Sequence, residues 1–159
     1  MPEPTRVWRL CRAIYAQSSF SGEGSFRFSG RWNPAGVRMV YTSTSLALAS
    51  IELFVHLDPT DAPNDLVVTS ATLPASLTIE VLTPGDLPDT WRSLDNPALQ
   101  RMGAEWIRSN RSAALKVPSV VVEGDSNILL NPAHPDFPKI QVDPPTPWHF
   151  DQRLFHPRS

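Results

Sequence analysis

The chain has 159 residues, of which 41% are hydrophobic and 19% charged, with a formal net charge of -2. These proportions suit a folded domain and argue against disorder, no run approaches the ~20 apolar residues of a membrane helix, and the basic surplus usual in nucleic-acid binders is missing. The first ten residues hold no apolar signal segment and the single cysteine, Cys11, can form no internal disulfide, so cytoplasmic residence is expected.

In chain order, residues 7–11 read as a strand, with Trp8 and Leu10 on one face and Arg9 on the other. Residues 18–30 form a Ser/Gly-rich loop, and after the Asn33-Pro34-Ala35-Gly36 turn residues 38–42 form a second strand. Residues 45–57 are predicted as a helix that is apolar nearly all round and therefore largely buried. Its polar residues Ser45, Glu52 and His56 fall seven and four apart, in one line. Residues 66–73 and 77–82 are β-rich runs that read as a pair. Asn96 caps a further helix that opens with Pro97 and carries Leu99, Met102, Gly103, Trp106 and Ile107 on one face. Residues 114–117, 119–123 and 127–130 read as short strands, and 148–155 as one more. Many strands without a βαβ rhythm predict a single compact α+β domain.

The charges are unevenly spread. Residues 1–40 hold six arginines against two acids, whereas residues 51–90 hold seven acids and no base. Arginine supplies 12 of the 14 basic residues and grips phosphate bidentately, so a small phosphorylated ligand fits better than a polynucleotide; the alternative, which composition alone favours, is that the oppositely charged surfaces simply pair.

Walker, GxGxxG and GxSxG motifs are absent, and the four histidines lack metal-ligand spacing, so no metal is expected. Cys11 reads as an inert thiol. Glu52, on an apolar helix, either points to water along a narrow stripe or lines a cavity. In the second case, desolvation without a fixed partner would raise its pKa and mark a site. Arg31, in Gly30-Arg31-Trp32-Asn33, is either an incidental turn residue or a phosphate grip beside a glycine that admits a ligand. Tyr41 is either a core aromatic or a stacking face with a polar tip. Ser119 has no base near it in sequence and does not read as an acyl-transfer nucleophile.

In this order the motifs resemble the RES domain family, the toxin half of bacterial RES–Xre toxin–antitoxin pairs, named for an Arg, a Glu and a Ser. Arg31 in Gly30-Arg31-Trp32-Asn33, Glu52 in Ser50-Ile51-Glu52 and Ser119 in Pro118-Ser119-Val120 match them. Further matches are Trp8-Arg9-Leu10, Val40-Tyr41, Gly103-Ala104-Glu105-Trp106, Asn131-Pro132 with His134-Pro135, and residues 150–155. They cover nearly the whole chain, so the domain is taken as residues 1–159 with a core of about 6–155.

The resemblance implies a fold similar to diphtheria-toxin-like ADP-ribosyltransferases and an activity that consumes NAD+ as substrate, with no further cofactor. It implies catalytic roles for Glu52, Arg31 and Tyr41, and substrate-binding roles for Arg9, Arg31, Tyr41 and Ser119. Glu52 would stabilise the ribosyl cation, the arginines would bind the pyrophosphate or adjacent ribose, and Tyr41 and Ser119 would lie at the nicotinamide end. An Xre-type antitoxin is the implied partner, with no direct nucleic-acid contact and no membrane. Water is the simpler acceptor, because the Gln/Glu-x-Glu pair of many arginine-directed transferases is missing. The alternatives are a mono-ADP-ribosyltransferase acting on a cellular protein and a non-enzymatic protein-binding module.

Overall fold

The computed structural model describes residues 2–155, which leaves His156 outside the described residues. Eight strands form one mixed sheet in the order β4-β5-β6-β2-β1-β3-β7, with β8 also pairing β3. They are β1 (Thr5–Arg12), β2 (Val40–Ser43), β3 (Leu66–Leu73), β4 (Ile79–Val81), β5 (Ala114–Pro118), β6 (Ser126–Leu130), β7 (Gln141–Val142) and β8 (Thr146–Trp148). Among the described residues only β4 and β5 run parallel. The helices are α1 (Glu23–Arg27), α2 (Leu46–Phe54) and α3 (Pro97–Ser109), with short 3-10 turns between elements. The fold is mixed α/β, consistent with the expected class.

Register decides what faces what. Val40, Leu130 and Ala114 stand side by side across β2, β6 and β5, and the next row is Tyr41, Leu129 and Leu115. Side chains alternate along a strand, so the first row joins the core with Val7, Ala71 and Leu73. The second row faces the opposite core, built with Trp32, Met39, Leu99 and Trp106. Helix α3 seals that face, capped as expected by the Asn96 side chain, which accepts from Leu99 N–H at 3.2 Å.

Gly103 is where α3 meets the early turn. A Cβ there would lie 1.7 Å from the Trp32 carbonyl oxygen, so only glycine permits this approach.

Several elements depart from expectation. Residues 66–73 and 77–82 do not pair: β1 occupies one edge of β3, and β7 and β8 occupy the other. Strand β4 therefore crosses to the far edge and joins β5. Residues 119–123 form a turn. The Ser119 hydroxyl accepts from the N–H groups of Val121 and Val122, which takes them out of any ladder, and Gly124 closes the turn at φ 95°. Residues 148–155 are a strand only to Trp148. Phe150 and Phe155 then fold inward onto Phe54 of α2, with centroids 6.0 and 5.3 Å away. Burial of those rings outweighs the alternation.

The Ser/Gly segment 18–30 is ordered into turns and α1, where Glu23 bridges Arg27 and Arg38. Helix α2 is less buried than its composition implies. Leu48 and Ala49 are covered, but Val55, just beyond its end, is 53% exposed. One side of α2 faces a cleft rather than a core.

Candidate active site

Glu52 sits on α2 because the strand-to-helix junction fixes the helix start. The Ser45 hydroxyl accepts from Leu48 N–H at 3.0 Å as the N-cap. Glu52 then lies two turns in, on the side that overlooks the ends of β5 and β6. There its Oε1 accepts from Ser119 Oγ at 2.7 Å and from Asn127 Nδ2 at 2.8 Å. The carboxylate is half-buried and has fixed partners, so the unpartnered, desolvated Glu52 of the sequence reading is replaced by an anchored one.

Two connected spaces meet at this residue. A lobe of about 300 Å³ is lined by Trp8, Arg9, Leu10, Ala49 and Leu53. A second lobe of about 1020 Å³ is lined by Gly30, Arg31, Trp32, Arg92 and Gln100. Tyr41, Glu52, His56 and Asn127 border both. The larger lobe is at the upper end of small-ligand cavities, about 300–1,000 Å³.

Arg31 enters from a turn held from three sides. Gln100 Nε2 on α3 donates to Gly30 O at 3.0 Å. Gly30 N–H donates to Asn33 O at 2.9 Å. The fully buried Asn33 donates through Nδ2 to the carbonyls of Ser25, Phe28 and Pro34. Arg31 Nη1 donates to Trp91 O and Ser93 O, both at 2.9 Å, and so aims the guanidinium along the cleft. Burial lowers its pKa, and the nearby Glu52 and Tyr41 pull it back up. No salt bridge joins Arg31 to Glu52 among the described residues. The two line the same cleft within electrostatic reach.

Tyr41 closes the gap between turn and strand. Its hydroxyl donates to Asn33 Oδ1 at 2.6 Å and accepts from Trp32 N–H at 3.0 Å. Burial pushes the phenol far above its usual pKa, against the opposing pulls of Trp32 N–H, Arg9 and Arg31, so it stays protonated. A Cβ at Gly30 would lie 2.8 Å from the Tyr41 hydroxyl, which explains the glycine before Arg31.

Arg9, on β1, donates through Nη1 to Tyr41 O at 3.0 Å, while its buried Nε has no partner. Burial lowers its pKa; nearby Cys11 and Tyr41 act in the opposite direction. Ser119 is 2% exposed and reaches the site through Glu52 rather than through the cleft wall. Its proton goes to Glu52 and its oxygen takes two backbone N–H groups, an arrangement suited to orienting a carboxylate.

Thus the Arg, Glu and Tyr of the sequence reading, with Arg9, converge on one cleft, and Ser119 stands behind it. Sequence reasoning missed Asn127, Gln100 and the Trp91 and Ser93 carbonyls. Asn127 could have been found as the one polar residue on the Leu129 face of β6; backbone carbonyls leave no sequence signal.

The chain matches the RES domain family over residues 6–151. It belongs to that family. The RES domain is 37% identical over 157 residues to the Prs ADP-ribosylating toxin of Sphingobium sp., covering 94% of this chain and 96% of that protein. It is 36% identical over 157 residues to Toxin Res of Pseudomonas putida, covering 94% and 99%. In fold it is similar to a chain of the crystal structure of the M. tuberculosis MbcT–MbcA toxin–antitoxin complex. The TM-score is 0.70 at 16% identity, over 94% of this chain and 86% of that one. Among the described residues no group of three or more His, Cys, Asp and Glu side chains could hold a metal ion, and no helix is long and apolar enough to cross a membrane.

Proposed function

We propose that this RES domain is the toxin of a toxin–antitoxin pair and that it cleaves the nicotinamide–ribose bond of NAD+, with water as acceptor. The observation that carries this reading is an anchored carboxylate, Glu52, at the junction of a small, largely apolar-walled lobe and a larger lobe bearing Arg31. NAD+ offers a flat ring for the one and a pyrophosphate for the other.

In the reaction the C–N bond breaks, its electron pair leaves with nicotinamide, and positive charge develops on the ribose as in other glycoside cleavages. The Glu52 carboxylate faces that charge, and stabilisation confined to the transition state raises the rate. Water then adds to the ribose carbon and releases a proton, giving ADP-ribose. Arg31, in the larger lobe, holds the phosphates, and Arg9, on the wall of the small lobe, the adjacent ribose. Tyr41 packs at the nicotinamide end, and Ser119 acts on that end through Glu52. We further propose the diphtheria-toxin-like ADP-ribosyltransferase fold, cytoplasmic action on NAD+, and an Xre-type antitoxin that covers the cleft. The MbcT–MbcA complex, as a toxin bound to its antitoxin, supports an antitoxin partner.

The test is nicotinamide release from NAD+ by purified protein beside Glu52→Gln. The variant keeps the shape but loses the charge, so turnover should fall by more than about 100-fold. Equal turnover would refute the assignment.

A second reading, transfer of ADP-ribose to a cellular protein, is supported by the name of the Sphingobium relative, an ADP-ribosylating toxin. Lysate incubated with adenine-labelled NAD+ separates the two. Labelled protein favours transfer, and label recovered only as ADP-ribose favours water.

A further inference from the structure

Glu52 offers two oxygens, and both side-chain donors that reach it, Ser119 Oγ and Asn127 Nδ2, land on Oε1. Among the described residues no side chain hydrogen-bonds Oε2. An amide can face a carboxylate with either its NH2 or its oxygen, and only the NH2 attracts it. The carboxylate itself fixes the choice, and Ser43, opposite Asn127 in the β2–β6 register, anchors the amide from behind, its hydroxyl donating to Asn127 Oδ1 at 2.8 Å. Reversing the amide would set two acceptors against each other at Glu52, whereas the Ser43 hydroxyl, able to donate or accept, holds the amide in either sense. Ser43 is 4% exposed, so water cannot readily replace its donor.

We infer that Asn127, anchored by Ser43, is a positioning residue that saturates Oε1 of Glu52 and leaves Oε2 free to face the developing ribosyl charge. This deepens the proposed reaction and rests on it. Asn127 touches both lobes, yet its acts through Glu52: it turns a side chain with three rotatable bonds into a fixed charge, so no reorganisation is needed when the C–N bond breaks. Asn127 comes from β6, Ser43 from β2 and Ser119 from the turn after β5, so the carboxylate is held against the sheet and not by its own helix.

The experiment uses two variants and one spectroscopic reading. Asn127→Asp has the same shape but offers an acceptor where a donor is needed. It should lower kcat by about 10- to 100-fold, the range for a hydrogen bond to a charged group, with KM for NAD+ nearly unchanged. Ser43→Ala leaves Asn127 Oδ1 without its donor and loosens the amide, and should lower kcat by about 3- to 10-fold in the same pattern. A rise in KM with kcat intact in either variant would overturn the inference.

The side-chain amide signals of Asn127 in a 15N-labelled protein supply a reading independent of turnover and of variants at Asn127. They should shift in Glu52→Gln and broaden or shift in Ser43→Ala. Unchanged signals in both would also overturn it. If the wild type releases no nicotinamide, the proposed reaction fails by itself, and the amide signals still decide whether Asn127 and Ser43 orient Glu52.

Discussion

Gly103→Ala sets two opposing effects against each other at one position. Alanine is the better helix residue, by about 0.8–1 kcal/mol, and Gly103 lies inside α3. The added methyl, however, would sit 1.7 Å from the Trp32 carbonyl oxygen, 2.8 Å from its carbon and 3.2 Å from Met39 Cε. The first two atoms are backbone and cannot rotate away, so α3 must move off the turn by more than an ångström. Overpacking of this kind costs typically 1–3 kcal/mol and occasionally more, and a contact with backbone belongs at the upper end. Subtracting the helix gain leaves a net loss of about 2 kcal/mol, or roughly 4–8 °C in Tm at this chain length. The same displacement moves Arg31, one residue from Trp32, so the KM for NAD+ should rise as well. Thermal unfolding followed by far-UV circular dichroism measures the first effect and steady-state kinetics the second. Gly24→Ala in α1 is the control: nothing lies within 4 Å of its added methyl, so it should be neutral or stabilising by up to ~1 kcal/mol. A Gly103→Ala protein as stable as the Gly24→Ala protein would refute the reasoning.

Three further outcomes follow from the same geometry. Arg31→Ala should raise the KM for NAD+ about 10- to 100-fold, as expected for losing a guanidinium–phosphate contact; an unchanged KM in steady-state kinetics counts against the phosphate role. Phe150→Ala opens a ring cluster with Phe54, Trp148 and Phe155 and should cost about 3–5 kcal/mol in urea unfolding. A loss below ~1 kcal/mol would mean that the C-terminal segment does not brace α2. Burial raises the Cys11 thiol pKa, partly offset by Arg9. A raised pKa leaves less thiolate at a given pH, so an aromatic disulfide reagent at mildly alkaline pH should label native protein about ten-fold or more slower than unfolded protein; equal rates would exclude the burial effect.

Local signals carried far along this chain. Asn96 and Pro97 start α3 because a cap and a fixed φ act on nearest neighbours only, and the apolar face of α3 follows from its 3.6-residue period. The glycine–arginine turn and the acidic residue on an apolar helix could be read for the same reason. Where the sequence reading failed, the deciding partner was distant. Strand β3 could not pair with β4 because β1, β7 and β8 had already taken its edges. Residues 150–155 left the sheet because the rings of α2 offered a better burial.

The sequence pattern placed Glu52 in an apolar helix but put Ser119 in a strand, where the structure has the turn after β5. Only the tertiary structure joined them, since residues 67 positions apart meet when α2 lies over the ends of β5 and β6. Chain order fixes which side chains exist and what each turn prefers. Which donors surround one carboxylate oxygen is a property of strand register, and register is decided by packing across the whole sheet.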